Sequence, residues 1–456
     1  MILSLGFVLH ILVLFAAHIY EELPQFYETF LLLSSTKVST CLQMYFSYDN
    51  VNDIEYLQLQ GCDTMTIIES FEKAPIDNII SALESQADKI IFLGNYKIMQ
   101  KAAIIYKKLL KNKGISTEFV LCDIQRDNLD SILQTLTDIV ETESDCIFDI
   151  TGGEDLVLLA FGIIYERYKD KKSIHLKRFN IREEDYPLNV RELISLYGGI
   201  VIPEEPQPMI ENALEEVNRI WDLSRKNSSK WNRTHSYFKE LERKGERSHD
   251  KLDIYLNLSE AKRKIANYDV KFHDTANLLK DLSKANLIKD LKIKPDILSY
   301  KYKNPFIKRC LEKAGDALEM KSYCEALNLK KDGKPYFNDC YVSVNIDWDG
   351  VIHSLEDHWK DTTNEIDLML MKGLTPIFIS CKNGKIGEEE LYKLNTVAHR
   401  FGGKYAKKVL IATRLERESE SARKSYMQRA KDMGILLIPN AGQFSKEAWQ
   451  DFFSRL

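Results

Sequence analysis

Asp367 and Lys382 are spaced for metal-assisted chemistry on a phosphodiester. They lie in residues 364–384, Asn-Glu-Ile-Asp-Leu-Met-Leu-Met-Lys-Gly-Leu-Thr-Pro-Ile-Phe-Ile-Ser-Cys-Lys-Asn-Gly. Two short apolar runs flank a turn at Lys372-Gly373 and predict a β-hairpin. The first strand carries Asp367, and the second delivers Lys382 just past Ile377-Phe378-Ile379. A carboxylate beside a lysine can hold a divalent cation and stabilise negative charge on an attacked phosphate. Glu365 stands two residues before Asp367, so on a strand both side chains leave one face and can share an ion. Cys381 alternates to the other face and reads as a core thiol.

Several elements must position this pair. A helix is predicted over 305–328, in which Leu311, Ala314 and Leu318 recur at helical spacing. Glu319 falls one residue later and points to a different side. Strands follow near 341–347, 365–371 and 375–381, then a helix over 388–401. A strand at 408–412, a helix over 418–432, a strand at 435–439 and a last helix close the chain. His399 lies on the first of these helices, with Tyr392 and Asn395 one to two turns earlier, and reads first as a structural residue. Arg400, Lys404, Lys407 and Lys408 suggest a local basic patch for a phosphate backbone, or a solvated charged face.

A second set of elements precedes these. Strands are predicted at 89–93, 117–123, 146–150 and 174–180, alternating with helices over 98–112, 129–141 and 154–168. Such alternation predicts a parallel sheet covered by helices on both faces. Ligands of such sheets bind at the carboxyl ends of the strands. Gly94-Asn95 and Thr151-Gly152-Gly153 both stand at such ends, and the second opens a helix whose backbone N–H groups can cradle phosphate. No GxGxxG or P-loop motif accompanies them, which argues against the usual dinucleotide and ATP sites. Between the two sets, residues 206–300 read as a charged, mostly helical connector, with Pro203, Pro206 and Pro208 marking its start.

Composition bounds these readings. The chain has 456 residues, 44% of them hydrophobic and 29% charged, enough for two or three globular domains. A net charge of −5 excludes a general polyanion binder and confines any nucleic-acid site to a local groove. The 8 cysteines form no Cys-x-x-Cys pair, so neither a zinc site nor a disulfide framework is expected, and a reduced, cytoplasmic setting is. Residues 1–20 are apolar, but no basic residue precedes the run and His10 and His18 interrupt it. Residues 1–64 are therefore read either as a membrane anchor or as translated upstream sequence, with Met65 as the functional start.

The order and wording of these segments resemble the CRISPR-associated Rossmann-fold (CARF) nucleases, in which a CARF sensor precedes a PD-(D/E)xK, restriction-endonuclease-like domain. The matching strings are Ser70-Phe-Glu-Lys-Ala-Pro-Ile-Asp-Asn78, Phe92-Leu-Gly-Asn95, Asp149-Ile-Thr-Gly-Gly153, Leu196-Tyr-Gly-Gly199, residues 364–367 and 378–384, and Leu394-Asn-Thr-Val-Ala398 with Arg400-Phe-Gly-Gly403. The resemblance covers nearly everything after Met65. It implies an α/β protein with a CARF domain over 65–205, a connector over 206–300 and a nuclease domain over 301–456.

Function follows from the same resemblance. It implies a homodimer that binds a cyclic oligoadenylate, cyclic tetra-adenylate above all, through Gly94, Asn95, Thr151, Gly152 and Gly153. Binding would activate cleavage of single-stranded RNA or DNA, or of duplex DNA, in type III CRISPR antiviral defence. Asp367, Lys382 and Glu365 would be catalytic. Mn²⁺ or Mg²⁺ would be held by Asp367, Glu319, Glu365 and Ser380. One departure stands out: the motif's Glu-x-Lys is here Ser380-Cys381-Lys382. Ser380 then binds metal weakly or through water, or Glu365 or Glu319 replaces the lost acid, or the site is poor or inactive. The last case would leave a non-catalytic, ligand-sensing nucleic-acid-binding regulator.

Overall fold

The computed structural model describes residues 65–179, 186–202, 213–226, 228–245, 252–264, 272–353, 363–384, 386–415 and 419–456. The apolar amino-terminal stretch, the three connector prolines and Asn180 lie outside them. Among the described residues no helix is long and apolar enough to cross a membrane.

The first sheet is parallel throughout. Its strands are β1 (Thr66–Ser70), β2 (Lys89–Gly94), β3 (Glu118–Asp123), β4 (Asp145–Asp149) and β5 (Ser173–Lys177), in the order β3-β2-β1-β4-β5. Helices α1 (Asp77–Ser85), α2 (Tyr96–Asn112), α3 (Leu129–Thr142) and α4 (Asp155–Tyr168) make the crossovers. Alternate strand residues feed two cores. Ile68, Ile91 and Phe148 pack with Phe161 of α4 on one side, whereas Ile67, Ile90 and Phe92 pack with Leu83 and Tyr106 on the other. Such a sheet, apolar on both faces, is what continuous runs such as Lys-Ile-Ile-Phe-Leu encode.

The chain leaves this sheet through α5 (Val190–Leu196) and a short strand, β6 (Ile200–Val201). The expected connector follows, but it is not purely helical. It consists of α6 (Leu214–Lys226), α7 (Ser228–Gly245), β7 (Asp253–Asn257), α8 (Leu258–Lys264), α9 (Phe272–Lys284), β8 (Ile288–Ile293) and β9 (Ile297–Tyr302). The strands form an antiparallel sheet, β7-β9-β8. They arise because Ile254 and Leu256, and Leu298, Tyr300 and Tyr302, are buried at every second position among lysines and other polar residues. Glu242 of α7 accepts from the hydroxyls of both Tyr300 and Tyr302.

The helix expected over 305–328 is two helices, α10 (Pro305–Cys310) and α11 (Asp316–Asn328). The break runs through Leu311 to Gly315. A minor hairpin, β10 (Lys330–Lys331) with β11 (Lys334–Pro335), leads into the second large sheet. That sheet contains β12 (Asp339–Asp347), β13 (Thr363–Lys372), β14 (Thr375–Lys382), β15 (Lys407–Ala412) and β16 (Ile435–Ile438), in the order β16-β15-β14-β13-β12-β6. Strands β12, β13 and β14 form an antiparallel meander, while β15 and β16 run parallel to β14. Helices α12 (Glu389–Gly402), α13 (Glu420–Asp432) and α14 (Lys446–Ser454) complete it. The expected order of elements here is observed, each boundary lying within a few residues.

The parts share cores rather than abutting. One core joins Trp221 of α6 and Tyr300 of β9 to Leu370, Ile379 and Trp449. The core beneath the first sheet continues through Leu193 and Ile194 to Phe378 of the second and Phe401 of α12. Backbone bonds reinforce this, including Leu188 N–H to the Gly373 carbonyl at 3.1 Å.

Candidate active site and ligand loops

The hairpin of β13 and β14 brings the sequence pair together. Leu368 is opposite Ile379, which sets Asp367 beside Ser380. Lys382 Nζ lies 3.9 Å from Asp367 Oδ2. The same oxygen accepts the Cys381 N–H at 2.6 Å and the Ser380 hydroxyl at 3.1 Å. The strand thus aims the Asp367 carboxylate, and the residue in the place of the missing acid binds Asp367 directly. Cys381 is buried against Ser322, its thiol held well above the ordinary range by burial, as a core residue should be.

Helix α11 supplies a second carboxylate. Burial first, then the charges of Asp367, Asp316 and Glu365, push Glu319 well above the ordinary carboxyl range. Burial likewise raises Asp367, with Lys382 and the Cys381 N–H opposing it. Asp316 is pushed up to about 6, again chiefly by burial. Glu365, at the rim, meets Lys313 at 3.7 Å. Four acids therefore converge on one end of the sheet, three of them desolvated enough to resist ionisation unless a cation joins them. Hard oxygen donors of this kind suit Mg²⁺ or Mn²⁺ in type. Among the described residues no three His, Cys, Asp or Glu side chains already enclose a space of ionic size. The fit is thus one of donor chemistry.

Glu390, in the first turn of α12, escaped the sequence reading. One of its oxygens lies 3.0 Å from Lys382 Nζ and the other 3.8 Å from Lys393. Burial works against the Lys382 charge, but Asp367, Glu390 and Glu319 more than offset it and hold its pKa above the ordinary value. Only the i, i+3 spacing of Glu390 and Lys393 was visible beforehand.

The suggested basic patch is not a free surface. Arg400 donates to the carbonyls of Tyr197 at 2.8 Å and Trp348 at 3.3 Å. Lys404 pairs with Asp77 at 3.0 Å, Lys407 caps the Leu456 carbonyl, and Lys408 donates to Asn395 at 2.9 Å. These cations close the fold. His399 is exposed on α12.

In the first sheet, the carboxyl ends of β1, β2 and β4 gather the expected ligand loops. Asn95 caps α2 by accepting the Ile98 N–H at 3.3 Å. A Cβ on Gly94 would stand 3.0 Å from Phe71 Cβ and 3.1 Å from an Arg126 nitrogen. Thr151 is fixed from both sides: its N–H donates to Asp149 at 2.7 Å and its hydroxyl accepts the Phe179 N–H at 2.8 Å. Gly153 adopts φ +141°, and a Cβ there would lie 2.8 Å from Ser70 Cβ. Ser70 in turn accepts the Glu154 N–H at 3.2 Å. Arg126, bound to Glu154 at 2.6 Å, is a cation beside these loops that sequence reading missed.

Under the loops lie Glu69 and Asp149, acids buried in otherwise apolar strands. Burial and the neighbouring Asp149 push Glu69 well above its usual range. Asp149 rises from 3.8 to about 6, mainly by burial. The folded protein therefore keeps a proton that the unfolded chain releases from about pH 4 upward. The stability this provides is complete below the unfolded value and lost as pH rises through about 6. Asp149→Asn should accordingly gain about 2 kcal/mol on the parent between pH 4.5 and 7.5. Thermal unfolding of both proteins across that range reads this out, and parallel curves would refute it.

With the geometry in place, comparison with known proteins adds the following. No protein-family model and no curated protein sequence matches the chain. Solved structures do. Protein VC1899 from Vibrio cholerae is 18% identical with a TM-score of 0.59, covering 86% of this chain and 96% of its own. Can2 from Sulfobacillus thermosulfidooxidans, solved in complex with cyclic tetra-adenylate, is 15% identical with a TM-score of 0.55, covering 85% of this chain and 99% of its own. The shared property is the α/β fold, over almost the full length of both.

Proposed function

We propose that the chain is a cyclic-oligoadenylate-activated, metal-dependent nuclease of type III CRISPR defence. Residues 65–205 would be its CARF sensor and residues 301–456 its PD-(D/E)xK-like nuclease, acting as a homodimer. The observation that carries this reading is the placement of Asp367 and Lys382 on paired strands, 3.9 Å apart, with the carboxylates of Glu319, Asp316 and Glu365 close enough to shift one another. The likeness to Can2, a cyclic tetra-adenylate complex, supports the sensing half.

Asp367, Glu319 and Glu365, with the Ser380 hydroxyl, would hold Mg²⁺ or Mn²⁺, which when bound polarises the phosphate and activates water. The chain's own groups then have distinct tasks. Lys382 stabilises negative charge growing on the phosphate oxygens. The Cys381 N–H and Ser380 hydroxyl fix the Asp367 oxygen, so the carboxylate does not reorganise during reaction. Half-buried Glu319 takes the place of the acid lost at Ser380.

The sensing half has a physical connection to this site. Asp77 of α1 follows the loop that begins at Ser70, and it accepts from Tyr405 and pairs with Lys404, just beyond α12. The other end of α12 carries Glu390 against Lys382. A ligand that binds one arrangement of the Ser70 loop more tightly would bias that contact.

The test is cleavage of labelled single-stranded RNA, single-stranded DNA and plasmid in Mn²⁺, with and without cyclic tetra-adenylate. Cleavage of at least one substrate, stimulated tenfold or more by the ligand, is expected. Tight ligand binding without cleavage of any substrate would overturn the catalytic reading in favour of a nucleic-acid-binding regulator.

A further inference from the structure

Helix α7 of the connector reaches the candidate site at the residue that follows Lys382. The side-chain amide of Asn383 donates to the Ala314 carbonyl at 3.2 Å and to Asn232 Oδ1 at 3.4 Å. Its Oδ1 accepts from the Thr413 hydroxyl at 3.1 Å. Asn232 returns the contact, its own amide donating to the Asn383 carbonyl. A Cβ on the next residue, Gly384, would stand 3.3 Å from the same Asn232 nitrogen, so glycine lets the helix come this close. The Thr413 N–H donates to the Lys382 carbonyl at 3.1 Å. The strand end that carries Lys382 is therefore held both by the end of β15 and by α7.

The remaining partner of Asn383 lies in the break between α10 and α11. The Ala314 carbonyl accepts from Asn383 and also, at 3.1 Å, from the indole N–H of Trp231, the residue before Asn232 on α7. Trp231 is buried, and a buried donor is costly to leave unpaired, so this carbonyl stays where α7 puts it. The break in turn touches the acids of the site. Lys313 Nζ lies 3.7 Å from Glu365, and the Lys313 N–H donates to Asp316 at 2.8 Å. A Cβ on Gly315 would stand 3.6 Å from a Glu319 carboxylate oxygen. Lys382 and Glu319 thus belong to separate segments, which Asn383 and the Trp231-Asn232 pair bridge.

We propose that Asn383, clamped by Trp231 and Asn232 of α7, is a positioning residue that sets the Asp367–Lys382 pair against the acids of α11. The proposal rests on the nuclease reading for what that placement serves. It makes the connector part of the catalytic architecture, so a fragment limited to residues 301–456 would lack the clamp. The effect passes through the Lys382 backbone and the Ala314 carbonyl, not through contact with the phosphate.

The experiment reads two quantities on the full chain. One is Mn²⁺ affinity, from the electron paramagnetic resonance of the free ion, with Asp367→Asn identifying the site at issue. The other is cleavage of the substrate the parent cleaves best, at saturating cyclic tetra-adenylate. Asn383→Ala and Asn232→Ala should weaken Mn²⁺ binding about tenfold and lower kcat about a hundredfold, with KM for the strand nearly unchanged. Thr413→Val, alike in shape but without the hydroxyl, should shift both quantities the same way by less, and Thr413→Ser should keep the parent values. Parent-like affinity and kcat in the two asparagine variants would overturn the clamp and leave the nuclease reading intact, even if their melting temperatures fell, because the tie would then be merely structural. Weakened Mn²⁺ binding in these variants of a parent that cleaves nothing would keep the clamp and sink the nuclease reading. A parent with no Asp367-dependent Mn²⁺ site would overturn both.

Discussion

Asp367→Asn and Lys382→Ala should each lower ligand-stimulated cleavage by about a thousandfold or more. Losing a single fixed group that stabilises transition-state charge commonly costs two to three orders of magnitude, and the carboxylate also anchors the cation. Asparagine can still accept the Cys381 N–H that Asp367 binds at 2.6 Å, so the hairpin should survive and the melting temperature should change little. Lys382→Ala removes a cation shared by Asp367 and Glu390 and leaves two acids facing each other. That variant should lose its rate and also some stability. Rates on labelled strands in Mn²⁺, together with thermal unfolding, separate these effects. Retention of a tenth of the parent rate by Asp367→Asn would remove it from the catalytic set.

Gly153→Ala should shift the response to cyclic tetra-adenylate to much higher ligand concentration while sparing the catalytic groups. The position needs φ +141°, a conformation essentially restricted to glycine. The added methyl would also stand 2.8 Å from Ser70 Cβ. Relief requires either the Thr151–Glu154 turn or the Ser70 loop to move, and both frame the expected ligand site. Calorimetric affinity for the cyclic ligand should fall about a hundredfold or more. The ligand concentration for half-maximal cleavage should rise in step, with the rate at saturation nearly preserved. An unchanged affinity would mean that these loops do not contact the ligand.

Strands such as Ile-Ile-Phe-Leu and Ile-Phe-Ile, buried on both faces, announce themselves as apolar runs, and β12 shows itself instead by alternation, whereas β1 and β6 were not foreseen. The connector strands were hidden because Ile254, Leu256, Leu298 and Tyr300 alternate with charged residues in a segment whose composition suggests helix. The helix over 305–328 was overextended because its apolar spacing runs across the break before Gly315. Asp367 and Lys382 were legible because a hairpin brings near neighbours together. Glu390, Arg126 and the Asp77–Lys404 pair were not, since those partnerships exist only after folding joins distant segments. The four cations of the supposed patch failed for the same reason in reverse: residue type revealed their charge but not the carbonyls and carboxylates already holding them.

Strand β6 has a further meaning for anyone dissecting the molecule. Ile200 and Val201 leave the amino-terminal half and pair with Asp347 and Ile346 as the outermost strand of the other half's sheet. A fragment starting after residue 202 would present β12 as a bare edge, open to pairing with another copy and hence to aggregation. A fragment ending before it would expose the apolar underside that Leu193 and Ile194 share with Phe378 and Phe401. Exchanges of the amino- or carboxyl-terminal half should therefore carry α5 and β6 with the carboxyl-terminal half, because the seam in the sequence does not coincide with the seam in the fold.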